Sequence, residues 1–209
     1  RQMCIRDSLK PGDLLLYSNP TYGGTHHFIN HFLNEIGVQA ISFSHDKSFE
    51  ELWNELKERK LLSKLRMIYI ETPANPTNAL FDLNILNQFK NKIRTTSSQE
   101  IISVVDNTYL GPIWQKPLSY GADVVCYSAT KFLNGHSDVI AGAVMGNSEA
   151  ILPIKTLRTF LGSMIAPYTA WLLTRSLETL HLRMERQGEN AKKVVAFLTE
   201  HPKVKRVFF

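Results

Sequence analysis

The sequence predicts an α/β fold, a mostly parallel sheet with helices on both faces. Two observations predict it. Short, β-branched and almost wholly apolar runs alternate with amphipathic helical stretches along the chain, the pattern of parallel strands buried on both sides. The residues with chemical reach, Tyr22, Asn75, Asp106, Ser128 and Lys131, stand at or just past the ends of those runs, and open parallel sheets bind ligands beyond the carboxyl ends of their strands.

The elements follow in order. Asp13–Ser18, DLLLYS, reads as the first strand. Thr25–Gly37 reads as a helix, with Phe28, Phe32 and Ile36 spaced by four on one face and Gly37 as its C-terminal cap. Val38–Phe43 is the second strand. Ser48 and Glu51 have capping-box spacing and open the amphipathic stretch SFEELWNELKERKLL,. Arg66–Glu71 is the third strand, ended by the proline-rich TPANPT. DLNILNQFKNKI is a helix capped by Asp82. Ile101–Asn107 is the fourth strand, apolar up to its acidic end, Ala122–Ser128 the fifth and Ala141–Gly146 the sixth. From Pro167 the chain becomes long helical material: a connecting helix, a second helix from about Glu189, and a strand over Val204–Phe209.

The expected organisation is a partial large domain over residues 9–166, then a connecting helix and the start of a truncated smaller domain over 167–209. Residues 1–8, RQMCIRDS, have no periodicity and no turn chemistry. Gln2 to Ser8 back-translates to CAG ATG TGT ATA AGA GAC AG plus one base, which resembles a transposase adapter of sequencing libraries. The segment is therefore set aside from fold reasoning. The other end stops inside the expected last strand, as a fragment would.

Composition narrows the classes. At 209 residues, 44% hydrophobic and 21% charged, the chain has material for a core,. No apolar run approaches the ~20 residues of a membrane helix, and no partnership with a membrane is expected. The net charge is +5, but the basic residues are scattered and no stripe interleaves with aromatics. That argues against nucleic acid and suits an enzyme with anionic ligands. Two cysteines, Cys4 and Cys126, give no disulfide framework, so a cytoplasmic setting is expected. No phosphate loop or GxGxxG supports nucleotide binding,.

One constellation carries chemistry. Asp106 ends a buried strand and Lys131 follows the next, 25 residues on, one crossover apart. A buried carboxylate needs a cation or several donors, and a protonated pyridine nitrogen is such a partner. A lysine that works as an amine needs a lowered pKa. Ser128 and Thr130 offer hydroxyls suited to a phosphate, and Tyr22, before Gly23 and Gly24, can approach a ring closely. Pyridoxal 5'-phosphate, bound to lysine as a Schiff base, satisfies all four features. Plainer roles exist for each residue. Asp106 could form a strand-end turn, Tyr22-Gly-Gly and Asn75 ordinary turns, and Arg158, Arg175 and Arg183 structural pairs. The alternative function is an inactive binding piece or a histidine-based metal site on His27 and His31, spaced i, i+4, with His26 and His45 nearby,. No cysteine or acid completes that set at good spacing, so the metal ligands are expected to be none.

The motifs YGGT (22–25), ETPANPT (71–77), VVDNT (104–108), GADVVCYSATKFLNGHSDVIAG (121–142) and ETLHLRM (178–184) occur in this order. With them the chain resembles the Cys/Met-metabolism family of pyridoxal-phosphate enzymes, which includes cystathionine γ-synthase, cystathionine lyases, methionine γ-lyase and O-acyl-homoserine sulfhydrylases. The resemblance runs from Leu9 to the end. It implies the large domain of the aspartate-aminotransferase-like fold (fold type I). It implies γ-elimination or γ-replacement in sulfur amino-acid metabolism, an amino-acid substrate, and a homo-oligomer, dimer or tetramer, with sites shared across a dimer interface. By resemblance, Lys131 forms the Schiff base and moves protons, Asp106 keeps the pyridine nitrogen protonated, and Tyr22 stacks on the ring and assists proton transfer. Ser128 and Thr130 bind phosphate, and Asn75 lies near the phenolic oxygen and the substrate carboxylate. His136 and Asp138 shape the turn after the lysine. His27 stands where family members that handle cystathionine usually carry arginine, and histidine cannot bind a carboxylate bidentately. The family's phosphate-cradling glycine turn would precede Leu9, and its substrate-carboxylate arginine would follow Phe209.

Overall fold

The computed structural model describes residues 5–6, 8–96 and 99–209. Of the N-terminal segment set aside above, residues 1–4 and 7 lie outside the described residues, while Ile5 is buried in the core. The chain forms two compact units, residues 1–127 with 142–164, and residues 128–141 with 165–209.

The first unit is built on the expected sheet. Its strands are β1 (Leu14–Ser18), β2 (Gln39–Phe43), β3 (Leu65–Glu71), β4 (Ile102–Asp106), β5 (Val124–Ser128) and β6 (Gly142–Gly146), in the spatial order β2-β1-β3-β4-β5-β6. The β1–β2, β1–β3, β3–β4 and β4–β5 pairs are parallel. β1 is buried at every residue and β3 at six of seven. Strands so enclosed must be apolar on both faces, and this is why LLLYS and MIYI show no polar alternation. One face's alternate residues, Leu15, Tyr17, Met67, Tyr69, Val104, Val124 and Cys126, join Ile29, Leu33 and Ile154 in a single core cluster.

The helices are α1 (Gly23–His27), α2 (Phe49–Glu58), α3 (Asn84–Thr96), α4 (Gly111–Trp114) and α5 (Ser148–Leu161). Ser48 and Glu51 form the expected capping box: the Ser48 amide donates to Glu51 Oε2 at 2.8 Å and the Glu51 amide to Ser48 Oγ at 3.3 Å. The ring edges of Phe49 and Phe89, 4.9 Å between centroids, lock α2 to α3. The Asp82 side chain accepts the Asn84 amide at 2.9 Å, the expected cap.

Three local expectations are corrected. The helix over Thr25–Gly37 is not regular, because α1 passes into a π-helical turn over Phe28–Leu33. The wider turn rotates the side chains, so the buried pair is Ile29 and Leu33 rather than the Phe28, Phe32, Ile36 face,. Gly37 caps it as expected, at φ +82°. α5 has no counterpart in the sequence reading. Asn147 caps it, accepting the Ala150 amide at 2.8 Å, but Pro153 inside it mimics a break,. Residues 204–209 form no strand. A strand exists only where a neighbour's ladder takes its N–H and C=O groups, and none among the described residues pairs with this segment.

The second unit holds the turn Ser128–Ala141 together with α6 (Pro167–Leu177) and α7 (Leu180–Glu200). α7 runs unbroken through Gly188, where the sequence suggested a new helix from about Glu189; a single helix glycine costs only about 1 kcal/mol. The real break lies between Leu177 and Leu180. Among the described residues no helix is long and apolar enough to cross a membrane.

Candidate active site

In the first unit, the candidate residues Tyr22, Asn75 and Asp106 follow or end β1, β3 and β4 at their carboxyl ends. Glu71 and Asp106 are register partners on β3 and β4, so two carboxyl groups end neighbouring strands side by side. Asp106 is 1% exposed. Its Oδ1 accepts the Thr108 amide at 3.1 Å and the Thr108 hydroxyl at 2.5 Å, and its Oδ2 accepts the Tyr69 hydroxyl at 3.2 Å. The turn-forming role open to an aspartate at a strand end is therefore present, and the carboxyl is held rigidly at the same time.

Glu71 is the residue that the sequence reading missed. It is 4% exposed, and its carboxyl takes the Thr21 hydroxyl at 2.8 Å, the Tyr22 amide at 2.9 Å and the Asn75 amide at 3.0 Å. Burial pushes this carboxyl above the usual range; the Asn75 and Tyr22 amides pull it back, and the nearby Asp106 charge pushes it further up,. The signal available in sequence was a polar end to an otherwise apolar strand, identical in kind to that of Asp106.

Tyr22 leaves its ring 42% exposed while its backbone is tied to Glu71. A Cβ on Gly24 would stand 2.8 Å from Tyr22 Cε1. The glycine thus clears space for the tyrosine ring itself. The Asn75 side chain is exposed and only its backbone is anchored. Behind Asp106, fully buried Asn107 binds the carbonyls of Gly111 at 2.9 Å and Gln115 at 2.8 Å and accepts the Gln115 amide at 2.8 Å. Gln115 in turn donates to the Thr72 carbonyl at 3.0 Å, joining the loop after β4 to the loop after β3. Burial also pushes the Tyr127 phenol up, with the Asn107 amide on its oxygen opposing the shift.

In the second unit, the Lys131 amide donates to the Ser128 carbonyl at 3.0 Å, and the Gly135 amide to the Lys131 carbonyl at 2.7 Å. These bonds make SATKFLNGHSD a compact turn with Lys131 at its bend and its side chain exposed. Thr130 Oγ1 accepts the Ala141 amide at 3.0 Å and donates to the Ala141 carbonyl at 3.3 Å, so that hydroxyl clamps the turn's exit. Ser128 is half-buried. Buried Asn134 donates to Asp138 Oδ1 at 2.8 Å, and His136 Nδ1 lies 3.3 Å from Ser176 Oγ, consistent with the turn-shaping roles of Asp138 and His136. Arg183 donates to the carbonyls of Phe132 at 2.9 Å and Ser176 at 2.8 Å, and burial lowers its pKa. Gly135, at φ +74°, leaves the space this guanidinium fills; a Cβ there would collide with Arg183 Nη1. Arg183 is thus structural, as expected, but toward backbone carbonyls rather than an acid.

The histidines do not assemble a metal set. The His27 and His31 rings lie tilted against each other with centroids 4.1 Å apart, and the described residues contain no group of three or more His, Cys, Asp or Glu that could hold an ion.

Comparison with known proteins bears on the fold and the family. The chain is 39% identical over 208 residues to L-methionine gamma-lyase of Treponema denticola, covering 99% of the chain and 49% of that enzyme. It is 36% identical over 208 residues to cystathionine beta-lyase of Coxiella burnetii, covering 98% and 51%. The crystal structure of MetB from Corynebacterium glutamicum superposes with a TM-score of 0.85 at 31% identity, covering 98% of this chain and 50% of that one. The fold is accordingly that of the large domain of a fold type I enzyme, and the chain spans about half the length of the curated relatives it matches. The family model for Cys/Met metabolism PLP-dependent enzymes matches residues 1–209, and the chain belongs to that family.

Proposed function

We propose that the whole protein is a pyridoxal-phosphate enzyme of sulfur amino-acid metabolism, acting by elimination or replacement at the γ-carbon of its substrate. The observation that carries the reading is Asp106, a carboxyl almost wholly buried at the end of β4 and fixed by Thr108 and Tyr69, in a chain of this family. The donor set fits the cofactor: a buried acid for a protonated ring nitrogen, an exposed amine for an aldehyde, hydroxyls for a phosphate and an aromatic face for a ring.

Bound pyridoxal phosphate supplies an electron sink for charge developing at the substrate's α-carbon. In this reading Asp106 holds the proton on the ring nitrogen, since a carboxylate in a dry site stabilises an adjacent cation. Lys131 Nζ would hold the cofactor by its aldehyde and, when free, would carry protons among the substrate's α, β and γ carbons. Its exposure in this chain calls for cover by further chain or a second copy before the amine becomes selectively basic. The Tyr22 ring, given room by the missing side chain of Gly24, would stack on the cofactor ring. Ser128 and Thr130 would donate to the phosphate, Thr130 giving up its 3.3 Å bond to Ala141 for a charge-assisted one,. Asn75 addresses the phenolic oxygen and the substrate carboxylate. The residue ranges 9–166 and 167–209 correspond in this reading to a large domain and the start of a small one. The working form is a cytoplasmic homo-oligomer.

The test is an assay of the whole protein, loaded with cofactor, on methionine, cystathionine and an activated homoserine, following 2-oxobutyrate and thiol. Release of 2-oxobutyrate, or thiol-dependent consumption of the homoserine ester, is expected. Absence of both with loaded enzyme contradicts the reading.

A further inference from the structure

Glu71 joins two loops through one side chain. Its Oε2 takes the Thr21 hydroxyl and the Tyr22 amide from the loop after β1, and its Oε1 takes the Asn75 amide from the loop after β3. Its own amide donates separately to Ser18 Oγ at 2.9 Å. The residues that the carboxyl grips by their backbones are therefore two of the proposed site residues, on different segments. Every bond into the carboxyl comes from an O–H or N–H donor, and an ionised carboxyl accepts on both oxygens with no hydrogen of its own turned toward either loop,. An amide of the same shape can hold one loop, but it turns an N–H toward the N–H of the other.

We propose that Glu71 is a positioning residue for the cofactor: through Tyr22 and Asn75 it sets the stacking ring and the amide in one fixed relation. The inference rests on the reading under Proposed function. Glu71 touches no reacting atom, and its effect passes through the two loops. Burial raises the cost of the charge, so an acid here is not the most stable choice for a strand end. The two-sided grip accounts for it.

The test uses the whole protein as apoprotein titrated with pyridoxal phosphate, reading the dissociation constant and the visible circular dichroism of the bound chromophore, with the apoprotein Tm measured alongside. Glu71→Gln is expected to weaken binding about 10-fold or more and to change the dichroism, because one charge-assisted bond becomes a clash. Thr21→Val, near in shape and lacking only the hydroxyl, shifts both in the same direction by about 3-fold. Ser18→Ala, at the same strand end but off the carboxyl, lowers the apoprotein Tm and leaves the dissociation constant within about two-fold. Wild-type affinity and dichroism in folded Glu71→Gln overturn the inference, as does Ser18→Ala weakening binding as much as Glu71→Gln. If Glu71→Gln does not fold, Thr21→Val decides, and an unchanged constant overturns it. A wild-type protein that binds no pyridoxal phosphate removes the functional reading itself, a result distinct from binding that the variants leave intact.

Discussion

The loops at the ends of β3 and β4 and the turn after β5 are both pinned by buried polar side chains, but with opposite polarity. In the first region acids do the holding: Glu71 and Asp106 accept from the backbone N–H groups of Tyr22, Asn75 and Thr108. In the second, donors do it: Arg183 and Asn134 give hydrogen bonds to the Phe132 and Ser176 carbonyls and to Asp138. The difference teaches how the two regions can be disturbed. A carboxyl can be neutralised by a proton, so the first grip is sensitive to pH. A guanidinium stays charged at any ordinary pH, so the Arg183 hold on the Phe132 and Ser176 carbonyls yields only to substitution or crowding.

Four changes break or sharpen this contrast, in falling order of expected effect. Asp106→Ala in the whole protein should cost roughly 3–5 kcal/mol of ring-nitrogen stabilisation, a rate loss on the order of 10³; kcat/KM measured with excess cofactor reads it. Gly135→Ala strains the positive φ and displaces the Arg183 guanidinium, so a drop of about 2–3 kcal/mol in unfolding free energy is expected by denaturant titration. Asn134→Ala removes a buried amide bonded to Asp138 and should cost about 1–3 kcal/mol. Ser48→Ala, on α2 and remote from both regions, should cost only about 1 kcal/mol through the capping box,.

The pH contrast has a definite sign. Glu71 has its folded pKa raised above the usual value of 4.5. The folded state thus holds its proton to higher pH than the unfolded chain does, and its contribution is fully present below 4.5,. That contribution is lost as pH rises through the folded pKa. Glu71→Gln should flatten this part of the Tm–pH curve,. A Glu71→Gln curve parallel to wild type would show that the carboxyl does not titrate with folding.

The sheet was legible in the sequence because parallel strands buried on both faces advertise themselves as unbroken apolar runs. Asp106, Ser128 and Lys131 stand out as candidates because each interrupts or follows such a run at a fixed spacing. Glu71 shares the position but not the spacing to a lysine, and its partners, Thr21 and Tyr22, lie about fifty residues away. Arg183 is tied to Phe132 across 51 residues, a pairing that no local pattern records. The π turn at Phe28–Leu33 and the helix α5 were missed for the opposite reason. Local signals, a four-residue spacing and an internal proline, pointed elsewhere, and packing overrode them.

The central claim is that Lys131 is the amine that bonds the cofactor. Borohydride reduction of the purified, loaded whole protein, followed by peptide mass spectrometry, tests it directly. The account predicts a pyridoxyl mass on the peptide containing Lys131 and on no other lysine. A label on a different lysine, or a loaded protein that takes no label, would contradict it.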